Sequence, residues 1–168
     1  MLLDAFLPEH LTELAVDSIF MMPQLGVLST VHPDAARQVF EKDCLIRLGT
    51  SVAPVGPGKE GQTALHVALE MPGGKRDEFS IPYGGLRLVP LADGQTAKAT
   101  LRPEKAFDVG DGKGRERTVV LRGGVVGLFF DCRGRRPFAL PADRAARIAK
   151  LNQWNEALGI YPAVSARS

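Results

Sequence analysis

The sequence predicts an α+β domain that is mainly β: an antiparallel β-barrel or sandwich of six to eight short strands, with N-terminal helices and one C-terminal helix. Three features predict it. Beyond Lys42, short apolar runs alternate with Gly and Pro punctuation, the pattern of many strands joined by turns. Helical spacing of apolar residues is confined to the two ends of the chain. No helical segment falls between the strands, which argues against a doubly wound sheet.

Taken in order, residues 7–22 read as the first helix. Pro8 suits a first helical position, Glu9 suits the positive end of the helix dipole, and Leu11, Leu14, Ala15, Ile19 and Met22 recur at helical spacing. Pro23 kinks or ends it. His32-Pro33-Asp34 opens a second helix over 35–42, with Ala36, Val39 and Phe40 on one side. The stretch Ala53-Pro-Val-Gly-Pro-Gly-Lys-Glu-Gly61 reads as a linker between this helical piece and the β module.

In Thr63–Glu70, Leu65, Val67 and Leu69 alternate with Ala64, His66 and Ala68, the period of a half-buried strand. Residues 79–91 hold two strands bent at Pro82-Tyr83-Gly84-Gly85. Asp93-Gly94 is a turn, after which Ala97, Ala99 and Leu101 alternate with polar residues. Arg117–Arg122 is a further strand, and Gly123-Gly124 a turn or bulge. Residues 125–131 lack polar alternation, so they read as a central strand buried on both faces. Residues 141–158 return to helical periodicity, with Ile148, Leu151 and residues 154–158 on one side and Arg144, Arg147 and Lys150 mainly on the other. The expected organisation is one compact domain, with a helical piece over 1–52, a β-barrel or sandwich over 53–140 and a closing helix and tail over 141–168. Its expected core is Leu65, Val67, Leu69, Leu88, Leu101, Leu121 and Phe129.

Composition excludes several functions. At 45% hydrophobic and 24% charged, the 168-residue chain has the balance of a folded domain. A net charge of +2, one Trp and two Tyr supply neither a basic stripe nor a stacking platform, so no nucleic-acid partner is expected. Cys44 and Cys132 stand alone, and His10, His32 and His66 are far apart, so neither a disulfide framework nor a metal site is predicted. That usage suits a reducing, cytoplasmic setting. The acidic start Met-Leu-Leu-Asp and the interruption at Pro8-Glu9-His10 do not fit a secretion signal, and no apolar run is long enough for a membrane span.

Two stretches hold candidate binding residues. In Asp108-Val-Gly-Asp-Gly-Lys-Gly-Arg115 the glycines free backbone N–H groups to line an anion, with Lys113 and Arg115 supplying charge; the bland reading is a hairpin loop. The spacing is not that of a P-loop. In Asp131-Cys-Arg-Gly-Arg-Arg-Pro137, Asp131, Arg133 and Arg135 are candidates for holding a carboxylate or phosphate, and Cys132 for a nucleophile. The bland reading pairs Asp131 with an arginine and leaves Cys132 as small apolar filler. Ile81-Pro-Tyr-Gly-Gly-Leu86 either presents Tyr83 to a ligand or forms a β corner. Lys98, set mid-strand between alanines, reads as a solvated face.

Asp17-Ser-Ile-Phe-Met-Met-Pro-Gln-Leu-Gly-Val-Leu-Ser29, followed by His32-Pro-Asp-Ala-Ala36, resembles the closing segment of the glutamate mutase MutL family. These methylaspartate mutase accessory proteins are unrelated to the mismatch-repair protein of similar name. His32 and Asp34 stand where the family has tyrosine and glutamate, and the match covers roughly residues 14–48. Gly123-Gly-Val-Val-Gly-Leu-Phe-Phe-Asp-Cys-Arg-Gly-Arg135 resembles the extension of some members. The resemblance implies a non-catalytic accessory or docking module, the C-terminal fragment of an ATPase-type mutase-maintenance protein. Its implied partners are a cobalamin-dependent mutase subunit and the family's upstream ATPase domain. Cobalamin enters only through the mutase, and no ATP-binding residue carries over. The alternatives are a small anion- or ligand-binding barrel using the Gly-rich loop and arginine cluster, and an enzyme with Cys132 as nucleophile.

Overall fold

The strands are β1 (His10–Asp17), β2 (Leu45–Ala53), β3 (Thr63–Glu70), β4 (Arg76–Pro82), β5 (Leu86–Val89), β6 (Thr96–Pro103), β7 (Arg117–Arg122) and β8 (Gly127–Asp131). The helices are α1 (Met22–Ser29), α2 (Pro33–Val39) and α3 (Arg144–Ala157). In the computed structural model, which describes residues 3, 6–134 and 140–159, the strands form two four-stranded sheets, ordered β1-β2-β8-β5 and β4-β3-β6-β7. The protein is therefore α+β and mainly β, with sheets that are not closed into a barrel. The expectation of purely antiparallel pairing is corrected at one place. β8 runs parallel to β2, from Gly49↔Gly127 to Val52↔Phe130, and antiparallel to β5 on its other side.

Period-two alternation puts one side of each sheet into a shared core. Val52, Leu128 and Phe130 from the first sheet lie in one cluster with Leu65, Val67, Leu69, Leu101 and Leu121 from the second. β8 has a neighbour on each side, as its unbroken apolar run predicts. Phe130 is its deepest aromatic, fully buried and edge-to-face with Phe79 at 5.3 Å between centroids. Phe129 and Leu88, both expected in the core, are only half-buried. They oppose each other across β5 and β8, and Phe129 packs instead with Leu3, Leu14 and Leu48 in a second, smaller cluster.

The first predicted helix is corrected outright: residues 10–17 are strand, paired antiparallel with β2 over His10↔Ala53 to Asp17↔Leu45. Leu11 and Leu14 are three apart, a helical spacing that also suits a strand buried on both sides. Leu11 packs on the inter-sheet core and Leu14 on the smaller cluster. Cross-strand pairing overrode local periodicity. Pro23, read as a helix end, lies in the first turn of α1. The Asp17 carboxylate accepts from the N–H groups of Ile19 and Met22, each at 3.2 Å, and so turns the chain from strand to helix. The predicted linker divides nothing. Val52 before it and Leu65 after it share one core, and a backbone bridge between Val55 and Asp108 fixes its course.

α3 forms where expected, with the Asp143 side chain capping Ala146 N–H at 2.8 Å. Its predicted apolar side is buried only in part. Ile148 and Leu151 are exposed, whereas Trp154 is buried and its Nε1–H donates to the Gly84 carbonyl at 2.8 Å. Lys150, one turn earlier, pairs with Glu60. Two polar contacts, one of them from Trp154 on the predicted side, therefore set the packed face and leave Ile148 and Leu151 exposed.

Replacing Phe130 by Ala should lower stability by about 3–5 kcal/mol, the usual cost of emptying a buried aromatic site, and Phe129→Ala clearly less. Urea unfolding of both variants tests this order, which reverses if β8 presents its other face to the core.

Candidate functional site

Because β2 and β8 are parallel, their carboxyl ends emerge on the same side, and the segments that follow them diverge. Between residues 54–58 after β2 and residues 131–134 after β8 lies a cleft of ≈ 760 Å³. Residues 7–10, Tyr83 and the loop holding Asp108 and Lys113 complete its wall. The crevice beyond the carboxyl ends of parallel strands is where α/β sheets bind ligands, and here one parallel pair suffices to make one.

Of the predicted site residues, Asp108, Lys113 and Asp131 line this cleft. Arg115 is exposed and is not among its lining residues, Arg133 lies behind Asp131, and Arg135 falls outside the described residues. The glycine-rich loop does make a nest of N–H donors, but its own Asp108 fills it. One carboxylate oxygen accepts from Gly110 N–H at 2.6 Å and from Gly112 N–H at 2.9 Å. These two bonds, Gly110 first, hold the Asp108 carboxyl below its ordinary range. The loop is thus a closed turn, not an open anion cradle.

Arg133 is likewise committed. Arg133 donates to both oxygens of Asp131, at 2.9 and 2.7 Å, with the two side chains 6% and 2% exposed. Its guanidinium lies 5.2 Å from the centroid of the Trp154 ring, so the pair also braces α3. Cys132 is buried, and desolvation followed by the Asp131 charge pushes its thiol far up. A nucleophile needs the thiolate, which this environment suppresses.

Tyr83 does face the cleft, and its corner is tightly built. A Cβ on Gly58 would come within 2.8 Å of the Tyr83 ring, and one on Gly134, at φ +91°, would overlap the phenol. The residues that sequence reasoning missed are Glu9, His10 and the wall 54–58. Pro and Gly directly after an apolar stretch were the available signal, read instead as a linker. A hydrogen-bonded chain of Ser80, His66 and Glu104, at 2.7 and 3.3 Å, was also not foreseen. It lies across β3 and β4 on the exposed face of the second sheet, outside the cleft.

A second feature occupies the far end of the β1–β2 pair. Residues 18–44 form a helical arm at the hairpin tip, clasped at its base where Ser18 N–H and Oγ–H both donate to the Cys44 carbonyl at 2.8 and 2.9 Å. Leu25 in α1 and Ala36 in α2 are buried, while Phe20, Val27 and Val31 are 78%, 72% and 70% exposed. No family model, curated protein or solved structure matches the chain. Among the described residues no helix is long and apolar enough to cross a membrane.

Two outcomes follow from this geometry. Since the Asp108 pKa is lowered in the fold, its stabilising contribution is present above the ordinary value of 3.8 and is lost as pH falls through the folded value. Asp108→Asn keeps an acceptor oxygen but removes the charge, so its stability deficit should be full at pH 7 and shrink in acid. Denaturation midpoints of both proteins from pH 7 to 3 would expose a constant deficit if charge plays no part. Cys44 and Cys132, both free and buried, should resist iodoacetamide in the folded protein and both react after unfolding without reductant. Intact mass gives the adduct count.

Proposed function

We propose that the protein is a non-catalytic docking module of the machinery that maintains a cobalamin-dependent mutase, and that the α1–α2 arm is its docking surface. The observation that carries this reading is the exposure of Phe20, Val27 and Val31 on an arm whose two helices bury little. Monomeric surfaces keep large apolar groups scattered, and a concentration of them on one projecting element marks an interaction site. Helices of eight and seven residues are also too short to hold themselves together without packing. The arm lies within the stretch that resembles the mutase accessory family, which supports the choice of partner.

In this reading the upstream ATPase domain of the family is the second partner, cobalamin resides on the mutase, and the setting is cytoplasmic. The two sheets are read as the layers of a β-sandwich, a rigid base that holds the arm out. The enzyme alternative loses support from the protonated, buried Cys132 thiol.

The paired change Phe20→Ser and Val27→Ser should leave the unfolding midpoint nearly unchanged and weaken binding to a purified cobalamin-dependent mutase at least about tenfold. Fully burying each side chain is worth about 1.5–3 kcal/mol. Calorimetric titration decides: no binding by the unaltered protein removes the mutase as partner, and equal binding by the variant removes the arm as the surface.

A further inference from the structure

We infer that the cleft at the carboxyl ends of β2 and β8 binds a small zwitterion with an apolar body, such as a free amino acid with an apolar side chain. The inference is independent of the docking reading, because the cleft and the arm lie at opposite ends of the β1–β2 pair.

The ligand class follows from which lining charges are already used. Asp131 is paired with Arg133, whereas Asp108 keeps its charge, with one oxygen held by two N–H groups of its own loop. Besides Asp108, the lining holds two further charged residues, Glu9 and Lys113. Both are exposed, and neither has an ion-pair partner among the described residues. Anions without an ion-pair partner and one unpaired cation in a single cleft match a ligand that carries both an ammonium and a carboxylate. A simple anion would leave Glu9 opposed to it, and a simple cation would leave Lys113 so. The lining also holds Leu7, Pro54, Val55 and Pro57, which suits a hydrocarbon side chain.

The site is also held in place before any ligand arrives. Glu9 sits between Leu7 at φ 47° and His10 at φ 54°, two of the three non-glycine residues in left-handed conformation among those described. Such residues persist only where the surroundings fix them, and they gather at binding sites. Tyr83 is locked by Gly58 and Gly134, and the prolines fix their own φ. A wall already ordered loses little entropy when a ligand binds.

Three probes of matched size separate the possibilities: L-phenylalanine, 3-phenylpropionate and phenethylamine, titrated into the 15N-labelled protein. L-phenylalanine should shift the amide signals of Gly56, Gly58, Tyr83 and Lys113, and each singly charged probe should bind several-fold more weakly. Glu9→Gln and Lys113→Ala, both at exposed positions that leave the fold intact, should each weaken L-phenylalanine about three- to fivefold, the range of a partly screened ion pair. Glu9→Gln should leave 3-phenylpropionate unaffected, and Lys113→Ala should leave phenethylamine unaffected. Equal binding of the three probes, shifts outside the cleft, or no shift at millimolar L-phenylalanine would each overturn the inference.

Discussion

The contact on which the rest of the structure depends is backbone against backbone, where Gly49 of β2 meets Gly127 of β8. A Cβ on Gly49 would overlap the Gly127 carbonyl, and one on Gly127 would lie 2.5 Å from the Val89 carbonyl oxygen. Only glycine lets three strands close at this point, and Gly127 further needs its φ of +110°. Gly124 is equally confined, its Cβ position taken by the backbone of residues 47–49. Residues 123–126 carry the chain from β7 in one sheet to β8 in the other, and Val125 and Val126 N–H bond to the carbonyls of Arg47 and Leu48 on the way. Thr50 completes the junction, its hydroxyl donating to Arg122 O at 2.8 Å and accepting from Arg122 N–H at 3.1 Å. The parallel pair, and with it the cleft at its carboxyl ends, follows from this seam.

Buried charge serves geometry here more than stability. A bidentate ion pair inside a protein roughly balances its own desolvation, so its worth lies in fixing positions. Asp131 ends β8 and lines the cleft, and its partner Arg133 gives Trp154 a cation to lie against. Trp154 then ties α3 to the β4–β5 corner through Gly84, whose N–H in turn donates to the Cys132 carbonyl. Strand end, corner and helix are thereby joined through one polar group. Asp108 likewise serves geometry, closing its loop through the N–H groups of Gly110 and Gly112.

The β1–β2 hairpin separates the two surfaces. Eight paired residues at about 3.3 Å each place the arm about 25 Å from the cleft. Backbone pairing keeps that spacing rigid, so a partner on the arm and a small molecule in the cleft occupy separate ends of one element.

Much of the β architecture was legible in the sequence. β3 and β6 follow from period-two alternation, and the central place of β8 follows from its lack of polar alternation. Each rests on neighbours in the chain, the range over which sequence pattern speaks directly. What the tertiary structure alone decided was of longer range. It turned residues 10–17 from apparent helix to strand, because Leu11 and Leu14 each found a different apolar cluster. It packed α3 through Trp154, on the predicted side, and Lys150, on the other, and left Ile148 and Leu151 exposed, because Gly84 and Glu60 supplied polar partners from distant segments. It also brought Glu9, Tyr83, Asp108 and Lys113 to one cleft while pairing Arg133 with Asp131. Composition names the charged groups a chain possesses, but only the fold determines which of them remain unpaired.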